Sequence, residues 1–306
     1  MSSLPFLSII FVLIGQFLNA VVAIIDRFVV TKKVVATPFV YAVYVSLLSL
    51  FVLVLIPFGT VSLPAAHLLV LYGLTAFLYF LSIYFLFESL VSADPAEVVP
   101  VIGGIGAITT FIGNALILQE RLPQHFAIGF VFLVFGMIIV SHFSFSKRIM
   151  WPMVGSGVFF GLSMVLIKYI FQQVGFIDGF FWSRIANVLV ALCFLLLPGM
   201  WRLVKEDYSN KHEQSQSSRR TKFLFITANK VLGGLAFVCI LLAIKFGNVA
   251  MVNALAALQY LFLIVFGLIL SRSYPQLFNN GAHRFETLHK LLAASLIAIG
   301  FIILFL

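Results

Sequence analysis

The sequence predicts an all-α integral membrane protein with ten transmembrane helices, arranged as two inverted five-helix repeats. Three observations carry that expectation. Of the 306 residues, 62% are hydrophobic and 9% are charged, whereas ordinary soluble domains carry roughly 25% charged residues. Long apolar runs follow one another with no polar face, which a helix bathed in water would need. The two halves also carry similar landmarks in the same order, and an odd number of spans per half turns the second copy upside down. A closed barrel is excluded, because barrel strands alternate and are about half the length of these runs.

A spanning helix needs about 20 apolar residues. Breaking the chain at its polar and proline-containing clusters gives segments near 4–30, 38–57, 65–91, 95–117, 124–143, 151–172, 177–198, 221–245, 248–270 and 288–306. The first is too long for a signal-peptide core, and no Lys or Arg precedes Arg27, so it is expected to be retained as a span. Most connections are short, which makes consecutive helices antiparallel neighbours. Two are longer. The 201–222 stretch holds Lys205, Lys211, Arg219, Arg220 and Lys222 among Ser and Gln and is expected to be a solvated basic linker. The 271–289 stretch has Asn279, Asn280 and Gly281 at its turn.

The repeat places residues 1–146 in a first unit and 147–306 in a second. A shift of 141 brings Arg27 onto Lys168, Phe39 onto Phe180, Tyr41 onto Trp182 and Pro57 onto Pro198. A shift of 152 brings Leu116, Ile117 and Leu118 onto Leu268, Ile269 and Leu270, and Pro123-Gln124 onto Pro275-Gln276. The basic linker accounts for the extra residues. Inverted repeats place a binding site at their interface near the bilayer midplane and let it open alternately to each side, which is the geometry of a transporter.

The corner Ser92-Ala93-Asp94-Pro95 between the third and fourth spans and the sequence Glu120-Arg121-Leu122 at the end of the fourth carry a further signal. With the five-plus-five plan, they make the chain resemble the drug/metabolite transporter superfamily, in its EamA-like ten-helix branch. The Glu120 triplet is similar to that family's Gly-Glu-Arg-Leu, with Gln119 where the family has glycine. The resemblance covers essentially the whole chain. It implies transport of amino acids, nucleotide sugars or other metabolites and does not name the cargo.

Ionisable groups within a bilayer are costly and therefore candidates for function. Arg184 lies about 10 Å into the seventh span and Lys230 about 13 Å into the eighth, at 1.5 Å per residue. Asn187 is one turn from Arg184, Asn229 adjoins Lys230, and Asn253, Gln259 and Tyr260 sit inside the ninth span. The first repeat adds Asn19, Tyr41 and Tyr84. These residues are expected to line a central cavity in which Arg184 and Lys230 attract an anionic group such as a carboxylate. The structural alternative is that both bases pair with Glu88 or with backbone carbonyls and lock the bundle. Glu88, near the end of the third span, is the candidate proton-coupling carboxylate, with an interfacial helix-end residue as the alternative.

No metal or cofactor is expected. Cys193 and Cys239 fall in apolar stretches, and the six histidines lie at span ends or in loops without paired metal spacing. Gly103, Gly104 and Gly106 have no preceding strand and no following Lys-Ser or Lys-Thr, so they are expected to serve packing rather than phosphate binding. Gly157 and Gly161 form a small-xxx-small pair suited to close helix approach. The net charge of +9 resides on residues that flank spans, which argues for anchoring in a membrane rather than for nucleic acid.

Fourteen of the nineteen Lys and Arg fall at odd-numbered loops, three at even ones (Arg121, Lys168 and Lys245) and two within spans. The positive-inside rule then puts both termini outside, whereas the resembling family has cytoplasmic termini. The expected function is secondary transport of a small polar metabolite across a plasma or inner membrane, with the lipid bilayer and a small-molecule substrate as partners. A flippase for a lipid carrier or lipid headgroup is the alternative. A membrane-embedded lipid-modifying enzyme is a third reading, weakened by the scarcity of clustered carboxylates and histidines. The sequence does not read out oligomeric state.

Overall fold

The computed structural model describes residues 3–31, 37–58, 61–92, 95–120, 122, 125–140, 147–196, 199–203, 216–270 and 284–304. Much of the basic linker, the Ala93-Asp94 corner, Arg121 and the Asn279-Asn280-Gly281 turn lie outside them. Every element among the described residues is helical: α1 (Ser3–Thr31), α2 (Pro38–Leu47) with a 3-10 continuation (Leu48–Phe58), α3 (Ala66–Ser92), α4 (Pro95–Gly113) with a π-helical end (Asn114–Leu118), α5 (Phe126–Val140), α6 (Lys147–Gln173), α7 (Phe176–Leu195), α8 (Gln216–Phe246), α9 (Val249–Ala254), α10 (Ala257–Leu270) and α11 (Arg284–Leu304).

Among the described residues, six helices are long and apolar enough to cross a membrane, and four shorter apolar stretches accompany them. The expectation of an all-α membrane-embedded chain is met at this level. The surface fits an apolar solvent, with Val70, Leu116, Trp151 and Leu196 largely exposed. Polar side chains behave accordingly. The hydroxyls of Thr75, Ser89 and Thr109 donate to carbonyls four residues back in their own helices, at 2.7, 2.8 and 2.9 Å, since a hydroxyl without water must use the backbone.

Local sequence explains several helix ends. Thr37 caps α2, its Oγ1 accepting from Val40 N at 3.3 Å, with Pro38 at the first helical position, where its missing N–H costs nothing. Asn248 caps α9, its Oδ1 accepting from Ala250 N at 2.8 Å and Met251 N at 3.3 Å. The expected ninth span is therefore two helices, α9 and α10, meeting at a turn over residues 255–256.

The helices meet through small residues. Along α4 and α6, a Cβ on Gly157 would lie 2.7 Å from Ile105 Cβ and 2.8 Å from Ile102 O, and one on Gly161 would lie 2.6 Å from Thr109 Cβ. Both glycines of the small-xxx-small pair thus serve close approach. The α5–α11 contact is reciprocal: Gly136 faces Ile297 and the Ala293 carbonyl, while Gly300 faces Leu133 and the Gly129 carbonyl. Residues 129, 133 and 136 correspond to 293, 297 and 300 at one constant spacing, so each helix meets the other in the way it is itself met.

α1 packs along α8, α3 along α6, α4 along α6, α5 along α11 and α10 along α1. Ser8 Oγ donates to Ala243 O at 2.9 Å and Ser156 Oγ to Ser82 O at 2.9 Å, tying the first two of these pairs.

The seams give a direct test. Gly157→Ala should lower the midpoint of thermal unfolding in detergent, at a cost of about 1–3 kcal/mol for overpacking. Gly73→Ala, whose Cβ would meet nothing within 4 Å, should not. Equal melting of the two variants would show that the α4–α6 seam tolerates expansion.

Candidate functional site

Two polar assemblies stand out, one inside the bundle and one at the end where α4, α6 and α8 terminate. The inner one is built on Arg184 of α7. Its guanidinium carbon lies 4.7 Å from the ring centre of Phe237 on α8, 5.3 Å from Tyr79 on α3 and 5.7 Å from Phe180 one turn earlier on α7. With its amide oxygen turned toward the guanidinium, Asn187 accepts from both terminal nitrogens at 3.2 Å. The Nε is buried and has no hydrogen-bond partner. Among the described residues no carboxylate lies within ion-pair distance of Arg184, so ring faces, the Tyr79 hydroxyl and a neutral amide are what surround its charge.

The other expected residues are distributed around the same interior. Lys230 Nζ lies 4.7 Å from the Tyr41 ring centre. Asn229, Asn253 and Tyr260 are buried, and the Asn253 amide nitrogen lacks a partner. Gln259 Nε2 donates to the Asn19 carbonyl at 3.4 Å, joining α10 to α1. Tyr84 instead sits against Phe85, with ring centres 5.3 Å apart, and Glu88 is exposed. The structure brings together Arg184 with Asn187, Lys230 with Tyr41, and Gln259 with Asn19. Tyr84 and Glu88 stand apart from Arg184.

The assembly at the bundle end was not anticipated. Lys168 of α6 is only 7% exposed. Its Nζ donates to Ile244 O at 2.9 Å and Gly247 O at 2.6 Å, and lies 3.3 Å from Glu120 Oε1. Glu120 also accepts from Gln172 Nε2 at 2.9 Å and from Asn248 Nδ2 at 2.8 Å. Asn248 Nδ2 reaches Asn114 Oδ1 at 3.0 Å, and Asn114 Nδ2 donates to Glu120 O at 3.1 Å. In return, Lys245 of α8 donates to Phe171 O and Val174 O at the end of α6. Each lysine thus covers the unpaired terminal carbonyls of the other's helix, where the helix dipole favours a cation.

Counting Lys168 and Lys245 as loop residues is therefore corrected: both bridge helix ends. Glu120 does more than finish α4, since it joins the α4 end to α6 and to the α8–α9 junction. The backbone that delivers it turns at Gln119, whose φ of 52° lies in the left-handed region that suits glycine. The resembling motif has glycine at this place. The available signals were the motif at Glu120 and the match of Lys168 to Arg27 in the repeat. Proximity to span ends concealed them.

Near the same end, a cavity of about 310 Å³ is lined by Ser62, Leu68, Tyr72, Gln173, Asp178 and Trp182, among others. Asp178 accepts from Ser62 N at 3.0 Å and Ser62 Oγ at 2.9 Å, and Trp182 Nε1 donates to Ser62 O at 2.8 Å. Among the described residues no group of three or more His, Cys, Asp or Glu converges as a metal site.

The chain matches no family model and no curated protein. Solved structures do share its fold. One crystal structure aligns over 100% of this chain and 99% of its own, with 18% identity and a TM-score of 0.63. That likeness extends to the arrangement of helices and no further.

Lys168→Met should destabilise the detergent-solubilised protein by about 3 kcal/mol, because it strands Glu120 and two carbonyls. Adding Glu120→Gln should restore part of the loss. Strict additivity of the two in an unfolding series would mean that they do not interact.

Proposed function

We propose that this chain is a secondary transporter of the drug/metabolite type, which carries a small anionic metabolite across its membrane by alternating access. The observation that carries the reading is Arg184. A guanidinium held between aromatic faces, with a buried unpartnered Nε and no carboxylate in reach among the described residues, is an expensive arrangement inside a bilayer. A cargo carboxylate would supply the missing charge and hydrogen bonds, with Asn187 and Tyr79 orienting it.

The architecture supports this reading. In this reading the six long helices and four shorter apolar stretches found among the described residues form two sets of five, 1–146 and 147–306. Exchanging the sets converts the α1–α8 contact into α6–α3 and the α4–α6 contact into the ninth span against α1, all of which are present. The reciprocal α5–α11 glycine contact is its own image. These relations support the reading of an inverted repeat.

Alternating access also needs an end that closes and releases. The Glu120, Lys168, Gln172 and Asn248 assembly joins the α4 end of the first set to α6, α8 and α9 of the second, so it is the latch in this reading. Opening at that end would exchange its hydrogen bonds for water.

A thermal-shift screen of purified protein against amino acids, organic acids, nucleotide sugars and lipid-linked phosphates tests the proposal, since a ligand of the native state raises its apparent stability. A carboxylate solute should raise the midpoint, and Arg184→Gln should abolish the rise and lower uptake into proteoliposomes at least tenfold. Unchanged uptake by a folded Arg184→Gln protein would remove the anion-binding role. A response confined to lipid-linked phosphates would assign the chain to lipid translocation instead.

A further inference from the structure

The cavity at the bundle end and the Arg184 assembly are built on the same two helices. Tyr72 and Tyr79 are seven residues apart on α3, about 10 Å along the axis and nearly on one face. Asp178 and Arg184 are six residues apart on α7, about 9 Å. Each level thus pairs an α3 tyrosine with an α7 charge, negative at the outer level and positive at the inner one.

The outer level is equipped for a cation. Tyr72 is 2% exposed, lines the cavity, and its hydroxyl has no hydrogen-bond partner among the described residues. Among the described residues Asp178 accepts two hydrogen bonds, both from Ser62 and one on each oxygen, and a carboxylate has about four acceptor positions. Trp182 contributes its ring to the wall, while its N–H is engaged by the Ser62 carbonyl, leaving a face that attracts cations. Among the described residues no Lys or Arg lines the cavity. The rim pair, His67 Nε2 and Gln173 Oε1 at 3.2 Å, adds polar groups without fixed charge.

We propose that this cavity binds the primary ammonium group of a small organic amine, as an outer site for a cargo whose carboxylate is received by Arg184. The inference deepens the transporter reading and rests on it. The ammonium donates to a free acceptor position of Asp178 and to the Tyr72 oxygen and lies against Trp182. Because the levels are about 9–10 Å apart, an amino acid, with its charges far closer together, occupies them in turn rather than at once. The cargo class is therefore a zwitterion that bears both groups.

Calorimetric titration of the full-length detergent-purified protein with propylammonium and, separately, with propionate tests this. Propylammonium should bind, at least tenfold more weakly after Asp178→Asn and several-fold more weakly after Tyr72→Phe. Because the Tyr72 hydroxyl has no partner to lose, Tyr72→Phe should melt at or above the parent temperature, which separates ligand binding from folding if Asp178→Asn disturbs the Ser62 clamp. Absence of propylammonium binding to the parent, or parent-like binding by Tyr72→Phe, overturns the ammonium site. Propionate reports on Arg184 independently: propionate bound without propylammonium removes this inference alone, and propylammonium bound without propionate removes the Arg184 reading while the ammonium site stands.

Discussion

The exchange of lysines between α6 and α8 is the interaction on which one whole end of the molecule depends. A helix that stops leaves carbonyls without partners, and those that packing covers must find donors within the protein. Lys168 serves Ile244 and Gly247, and Lys245 serves Phe171 and Val174. Because each donor comes from the neighbouring helix, the two ends are fixed at the same depth. That common depth sets Gln172 beside Glu120 and Asn248 beside Asn114. It also sets Gln173 at the rim of the α3–α7 cavity.

How much was legible in the sequence follows from range of interaction. Span positions were, because an apolar run and its polar boundary are local facts; α3, α6 and α7 begin and end close to the expected residues. The meeting of Arg184 with Asn187 was legible too, since one helical turn brings them together. The faces of Tyr79 and Phe237 around the guanidinium were not, because they come from other helices. The break at 255–256 carries no proline or glycine to announce it. The burial of Lys168 was hidden for a different reason: a lysine near a span end normally extends to water, and only the neighbouring α8 terminus, supplied by tertiary packing, gives it a better destination.

The interior and the end are held by different physics. Seams such as α4 against α6 rest on backbone approach through glycine, which is stiff and tolerates little change. The Glu120 assembly rests on hydrogen bonds among groups that water could equally satisfy, with Gln172 already exposed. A structure that combines unyielding seams with a solvent-exchangeable junction concentrates its capacity for motion at the junction. In the proposed transport reading, Arg184 supplies directionality, because a buried cation gains most when an anion reaches it.

The pairing of α5 with α11 bears on how the chain is made. Residues 129, 133 and 136 find their partners in the last of the described helices, and α1 likewise waits for α8. These contacts cannot form until the later helices have been synthesised. Insertion of individual helices into the bilayer must therefore run well ahead of their assembly, and the glycine faces of the early helices rest against lipid until the later ones arrive.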